Sequence, residues 1–545
     1  MIGDPNSIID VLVIGGGPAG TTTATMLARK GFQVLLIERE PFPRDHIGES
    51  LLPASIPILE ELEVSDSITK AGFLPKWGAT MIWGKENVPW SWRFEETSPK
   101  YPHSYQVWRP LFDQLLLQNS QRNGVTIWEG CNVVDVLLEG REAKEVLYRT
   151  NEGNIGRLLT RFIVDASGQT GVLNRKLKLR RVDPFFQNLA VYCYFEGAQR
   201  LPSPDETNIF IESYQNGWLW NIPLHTGLTS VGAVADTHAA QAEILKHGSN
   251  GFLTNQISQA PYMSALLANA TPYSDSVVVK DWSYTSDHFA GDGYVLVGDA
   301  ACFVDPLFSS GVHLALMSGV MAAAYVTTAL KSPDMRGPAS EVYEELYVRE
   351  YEHFHALAKL FYSSNRTSES YFWEARRLVE GDPDYTPRQA FINAVAGQPP
   401  RGYERVVLER GELPKNFVAS VQATESQRMK RHAIFQTAKA GNTNLYHSVP
   451  YLAWDVKVEW KPVIAEGEFV WSQVITNSVH QQGIPCSPLV ATMLSLIDGK
   501  TAIKTLGFQL SATYGKGDST TLMTNVIKTI EILYIDGIIA ELKGP

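Results

Sequence analysis

The feature that most restricts this chain is a glycine spacing near its start. Val11-Leu12-Val13-Ile14 is an apolar run that ends in Gly15, Gly17 and Gly20, spaced G-x-G-x-x-G. A helical segment follows from Thr21 to Lys30, then a second apolar run from Gln33 to Ile37 that ends in Glu38. This is the order of a β-α-β dinucleotide-binding unit. The first glycine permits a tight turn, the second lets the backbone approach a pyrophosphate, and the third lets helix and strand pack closely. The helix N-terminus then offers free N–H groups to the phosphates, and Glu38 is placed to accept hydrogen bonds from a ribose. The spacing therefore predicts an adenine dinucleotide site on an α/β fold.

Composition narrows the class. The chain of 545 residues suggests two to four modules. A hydrophobic share of 44% supports a large core, and the net charge of -11 argues against nucleic acid as a partner. Cys131, Cys193, Cys302 and Cys486 are scattered, without a C-x-x-C pair. That pattern predicts no metal site and reduced thiols in a cytoplasm. No signal peptide and no membrane span are expected: the first strand starts almost at once, and no run of about 18 apolar residues stands out.

Further along, Pro41 to Ser50 reads as a loop, either a solvated connection or one folded over the cofactor. Residues 51–70 read as a helix with Leu51, Leu52, Ile56, Leu59, Leu62 and Ile68 near one face. Lys76 lies between Pro75 and Trp77 in an apolar stretch. A lysine is ordinarily a solvated surface charge, but flanking aromatics favour a partly desolvated, chemically useful amine. A helix is expected after Arg109, and strands over residues 125–150 and 186–235. Phe162 to Gly168 and Tyr294 to Asp299 are apolar runs that return to the first unit. Ser310-Gly311 opens another helix and is a candidate anion site. Residues 340–380 read as helical, with a boundary at 381–415. The organisation predicted is a cofactor-binding unit over 1–180, a mixed sheet over 181–285, a return to the first unit over 286–335, a helical region over 336–420 and a C-terminal module over 421–545.

Gly15–Glu38, Asp165-Ala166-Ser167-Gly168 and Gly298-Asp299 together resemble a group of FAD enzymes with a glutathione-reductase-type fold, which includes aromatic hydroxylases, geranylgeranyl reductases and halogenases. Trp218-Leu219-Trp220-Asn221-Ile222-Pro223 matches W-x-W-x-I-P, the signature of flavin-dependent halogenases. Lys76-Trp77-Gly78-Ala79 is similar to the K-x-G-A segment that carries the catalytic lysine in the phenol and pyrrole types. Pro43-Arg44 with Gly48-Glu49-Ser50 also looks like the family's loop. The resemblance covers about residues 8–420. Where tryptophan halogenases carry a glutamate facing the lysine, this chain has Phe308, which favours a phenol or pyrrole substrate. The chain resembles halogenases of nonribosomal peptide pathways most. Its C-terminal module is weakly similar to winged-helix-like modules.

The resemblance implies catalytic roles for Lys76, Trp218 and Trp220. It implies FAD contacts at Gly15, Gly17, Ala19, Gly20, Glu38, Arg39, Arg44, Ser50, Arg109, Asp299, Pro306, Gly311 and Val312, and chloride at Ser310 and Gly311. In such enzymes reduced FAD and O2 oxidise chloride to hypochlorous acid, which the lysine directs to one aromatic carbon as a hydrogen-bond donor or a chloramine. The Trp pair would keep water and substrate from the flavin. A separate flavin reductase is expected as partner, because no second dinucleotide motif is present. An aromatic substrate is expected, possibly on a peptide or carrier protein. His225, His288 and His313 are candidate bases for a phenol oxygen. An FAD-dependent aromatic hydroxylase is the alternative; it needs neither Lys76 nor the Trp pair.

Overall fold

Strand β1 (Ile9–Ile14), helix α1 (Pro18–Arg29) and strand β2 (Val34–Ile37) form as the spacing predicts, and β1 runs parallel to β2. The computed structural model describes residues 8–83, 88–139, 142–363, 430–437, 445–478, 483–514 and 519–544. The two strands are apolar over Val11–Ile14 and Val34–Ile37 because both faces are covered, as parallel strands require. The Lys76 segment follows as β3 (Leu74–Lys76) and β4 (Gly78–Ile82), and β5 (Ser104–Gln106) pairs antiparallel with β3. Helix α2 (Arg109–Arg122) and strands β6 (Thr126–Trp128) and β7 (Ile155–Asp165) come next. β7 lies on the other side of β1 and β6 lies beyond β2, all parallel.

A second sheet is built from β8 (Arg180–Glu196), β9 (Ile209–Tyr214), β10 (Gly217–Pro223) and β11 (Thr229–Asp236). Its central order is β8-β11-β10-β9-β4, antiparallel except for the parallel β9–β4 pair, so it is mixed. Strand β12 (Tyr294–Leu296) then joins the first sheet beside β7. The fold is thus α/β with an FAD-binding Rossmann-like sheet and a mixed sheet. Helix α3 (Gly311–Lys331) packs on α1, and Gly319 allows it: a Cβ there would stand 2.9 Å from the Ala19 carbonyl oxygen. α3 is long and apolar enough to cross a membrane, with mean hydropathy 1.4, but that stretch is wholly buried in the protein. No run of this kind was expected; α3 is a core helix.

Residues 51–70 do not form one helix. Pro53 starts a 3-10 turn, the first α segment is Ile56–Glu61, and the second is Ser65–Ala71. Glu63 between them has φ +58°, a left-handed conformation that ends the first segment. Helix α4 (Arg336–Ser363) begins earlier than expected; the stretch to 380 and the boundary at 381–415 lie outside the described residues.

In the C-terminal part, β13 (Val449–Leu452) pairs with β16 (Ile539–Lys543), and β14 (Lys457–Ala465) forms a hairpin with β15 (Glu468–Thr476). Helices α5 (Pro488–Leu496), α6 (Ile503–Tyr514) and α7 (Ser519–Ile535) share an apolar cluster with them. The hairpin docks on α3: Phe469 N donates to Thr328 Oγ1 at 2.7 Å, and Ile464 and Phe469 belong to the main core.

Candidate active site

One cavity runs from the glycine turn of β1 to the Trp-bearing face of β10. At its first end Gly15 has φ +106°, and a Cβ there would stand 2.3 Å from the Ala166 carbonyl oxygen. Gly20 is tighter still, 2.0 Å from the Gly15 oxygen, so both positions exclude any side chain. Gly17, Ala19, Glu38, Arg39, Arg44 and Ser50 line the cavity, whereas Gly20 works behind it by closing helix on strand. Arg109, Asp299, Pro306, Gly311 and Val312 line it as well.

Glu38 is already engaged with the backbone. Its carboxylate accepts from Gly16 N at 2.7 Å and from Glu40 N at 3.1 Å. It fixes the glycine turn and presents its remaining lone pairs to the cavity. Asp165 acts in a similar way from inside: its two oxygens accept from the backbone N–H groups of Ser167 and Leu173 at 3.1 and 2.7 Å. Ala166, Ser167 and Gly168 thereby reach the cavity wall while Asp165 stays buried.

The loop after Pro43 folds over the cavity. Arg109, the first residue of α2, forks onto Asp113 at 2.8 and 2.9 Å and donates to the Ile47 carbonyl at 2.6 Å. Gly48, at φ +102°, passes so close that a Cβ would stand 3.0 Å from the Arg109 guanidinium. Arg44 pairs with Asp113 at 3.4 Å and lies 3.8 Å from Glu38. The backbone and guanidinium donors of this end, together with the side-chain-free cradle at Gly15, fit the phosphates and ribose of FAD. Asp299 stands over this region with its carboxyl pushed up to about 6 by burial.

At the other end, alternation along β10 puts Trp218, Trp220 and Ile222 on one face, lining the cavity, while Leu219 joins the opposite core. The two rings lie 6.0 Å apart. Trp220 fits because Gly232 is directly opposite on β11; a Cβ there would stand 2.2 Å from the indole. Trp220 Nε1 donates to Ser230 Oγ at 3.3 Å, and Trp218 Nε1 donates to the Tyr362 hydroxyl at 2.7 Å.

Lys76 is 2% exposed and does not line the cavity. Its Nζ donates to the Leu51 carbonyl at 3.0 Å and lies 5.6 Å from the centre of the Phe94 ring. Among the described residues no carboxylate pairs with it, and burial lowers its pKa to about 7. Ser310 is buried away from the cavity, but Gly311 and Val312 line it, and the first-turn N–H groups of α3 have no acceptor within the helix. Of the three histidines proposed as bases, none lines the cavity. His313 is enclosed against Phe354 with its pKa lowered to about 4 by burial, His225 packs edge-on to Phe73, and exposed His288 faces Glu344.

Two cavity carboxyls escaped the sequence reading. Glu49 is fully buried; one oxygen accepts from the Tyr194 hydroxyl at 2.7 Å, and Ser230 lies beside the carboxyl. Burial pushes it to about 7, with Ser230 and Tyr194 easing its ionisation. Asp305 accepts from Tyr362 at 2.8 Å and from Leu307 N at 2.9 Å, and burial raises it to about 7.

A Rossmann-like sheet whose glycine turn opens onto a Trp-walled cavity defines an FAD-binding oxidoreductase. The family profile described as "FAD dependent oxidoreductase" matches residues 10–175, and that described as "Tryptophan halogenase" matches residues 95–413. The chain belongs to the flavin-dependent halogenases. It is 35% identical to a tryptophan 2-halogenase of Chondromyces crocatus, over 68% of this chain and 70% of that one. It is 31% identical to a 1H-pyrrole-2-carbonyl-[peptidyl-carrier protein] chlorinase of Pseudomonas fluorescens, over 68% of this chain and 89% of that one. Among solved structures it resembles the myxobacterial chondrochloren halogenase CndH (TM-score 0.64, 43% identity, 72% of this chain and 90% of that one). It also resembles CmlS, a flavin-dependent halogenase, with TM-score 0.69 and 28% identity over 99% of this chain and 96% of that one. Of the two enzyme readings, membership supports the halogenase.

Proposed function

We propose that the protein chlorinates an electron-rich aromatic ring, a phenol carried on a peptide or carrier protein, with Lys76 directing the oxidant. The observation that carries this reading is Lys76 itself: a buried amine without a counter-charge, two residues before the strand (β4) that extends the Trp-bearing sheet. Such a desolvated amine sheds its proton near neutrality and then has a lone pair to offer. Phe308, buried against Phe361, supports a substrate other than free tryptophan, because the site lacks the glutamate of that class. The tryptophan 2-halogenase relative makes tryptophan the comparison substrate of choice.

FAD bound at the glycine turn, when reduced, supplies with O2 the two-electron oxidation of chloride to hypochlorous acid. The residues do the rest. Arg109, Arg44 and the first turn of α3 hold anionic groups. Gly311 and Val312 offer backbone N–H groups to chloride. Trp218 and Trp220 exclude water from the cavity between cofactor and substrate. Glu49, a buried carboxyl in the cavity wall, is better placed than any of the three histidines to take a proton. A separate flavin reductase regenerates the reduced cofactor. Mass spectrometry of an assay with FAD, a flavin reductase, NADH, chloride and a tyrosine-like phenol, run beside tryptophan, tests the proposal. A chlorinated phenol that disappears in Lys76→Ala, while FADH2 oxidation continues, is expected. Chlorination of tryptophan alone, or a product undiminished by the substitution, refutes it.

A further inference from the structure

The Trp wall is tied to the rest of the site at one hydroxyl. Tyr362 OH accepts from Trp218 Nε1 at 2.7 Å and from Asn188 Nδ2 at 3.2 Å, and donates to Asp305 Oδ2 at 2.8 Å. One proton and both lone pairs are used, so the group is saturated. The other Asp305 oxygen caps the turn Pro306–Phe308 through Leu307 N. That turn leads directly into Gly311 and Val312 on the cavity wall. Tyr362 does not line the cavity. Its place is fixed near the end of α4, where Trp83 Nε1 donates to the Phe361 carbonyl at 3.0 Å and the rings of Trp83 and Phe186 pack against Tyr362 at 6.1 and 5.2 Å. Four separate pieces of chain (β8, β10, the 305–308 turn and α4) therefore meet at this hydroxyl.

We propose that Tyr362 is a positioning residue: it holds the Trp218 indole against the Asp305 turn and so sets how much of the oxidising power reaches halide. Two overall reactions compete for the same reduced cofactor. In one, FADH2, O2, chloride and a proton give FAD, hypochlorous acid and water. In the other, FADH2 and O2 give FAD and hydrogen peroxide, with no halide oxidised. A closed Trp wall favours the first by keeping water out. Without the hydroxyl, the buried Trp218 indole N–H loses its acceptor and the Asp305 carboxyl loses one of its donors, and the wall relaxes toward groups that satisfy the indole. The opening admits water and shifts the balance to peroxide.

Tyr362→Phe tests this, because the ring and its packing remain. Protein labelled with 15N-tryptophan gives an indole signal for Trp218, assigned by its loss in Trp218→Phe. The expected result is that this signal moves and its N–H exchanges with solvent at least tenfold faster in Tyr362→Phe, while the other indoles keep theirs. Hydrogen peroxide formed per FADH2 oxidised rises at least threefold, and chlorination of a β-diketone scavenger falls in step. FAD affinity stays within about twofold. An unmoved Trp218 indole overturns the proposal. So does a freed indole with an unchanged peroxide share, and so does a tenfold loss of FAD affinity, which would assign the hydroxyl to cofactor binding instead.

Discussion

A lysine enclosed to 2% exposure, with a carbonyl and an aromatic ring beside its amine, is pushed toward its uncharged form by its surroundings, and stability must register it. Its pKa falls from 10.5 in the unfolded chain to about 7 in the fold. Between those values the unfolded chain holds a proton that the folded one has shed, so stability rises with pH across the window. Below pH 7 the full penalty applies. Lys76→Met is expected to be more stable than the natural chain by roughly 2–5 kcal/mol at pH 6, with the difference shrinking toward pH 10, as denaturant unfolding at the two pH values would read. If Lys76 acts through its lone pair, chlorination rises as pH climbs through 7. Glu49 titrates in the opposite sense. Its carboxyl moves from 4.5 to about 7, so between these values the fold keeps a proton that the unfolded chain has lost, and rising pH costs stability. Glu49→Gln removes that slope, so the variant gains on the natural chain from pH 4.5 to 7, measurable by the same unfolding curves.

At the scale of elements, β10 and β11 share their central fit. Trp220 occupies the space that Gly232 leaves, directly across the strands. Gly232→Ala forces the indole aside, with an expected loss of about 1–3 kcal/mol and a cavity reshaped at its substrate end. Chlorination in this variant should fall while FAD affinity holds, because the glycine turn lies at the other end. This division also explains what sequence could reveal. Gly15–Glu38 and W-x-W-x-I-P are local: spacing within one β-α-β unit or one strand carries their meaning. The strand that carries Trp218 and Trp220 was legible, and Lys76 stood out by its apolar neighbours. Tyr362, Glu49, Asp305 and Gly232 were not. Their roles rest on partners far along the chain, such as Glu49 with Tyr194 and Trp218 with Tyr362, which no local period encodes. The broken helix at 51–70 was misread because the apolar spacing continues through Pro53 and Glu63 while the backbone does not. Glu38 lines the cavity at the end of β2, yet its hold on Gly16 N needed coordinates.

For the whole molecule, cofactor and fold are linked through the glycine turn. FAD at about 100 times its dissociation constant should stabilise the protein by about 2.7 kcal/mol, seen as a higher melting temperature. Gly15→Ala places a methyl 2.3 Å from the Ala166 oxygen, so this variant is expected to melt lower and gain little from added FAD. A Gly15→Ala protein stabilised by FAD as fully as the natural one would show that the cradle does not carry the cofactor.

The docking of the 457–476 hairpin on α3 bears on how the protein is made. Ile464 and Phe469 complete a core whose first strand begins at Ile9. At translation speeds of about 5–20 residues per second, the ribosome needs on the order of a minute to travel from one to the other. Only the end of that interval concerns α3: for the roughly 7–27 s between Lys331 and Ile464 this helix, apolar enough to pass for a membrane span, has no hairpin to cover its outer side. The nascent chain thus leaves one side of an apolar core helix uncovered until the hairpin emerges, which makes chaperone supply and the choice of C-terminal truncation point, rather than the cofactor site, the first things to control in producing it.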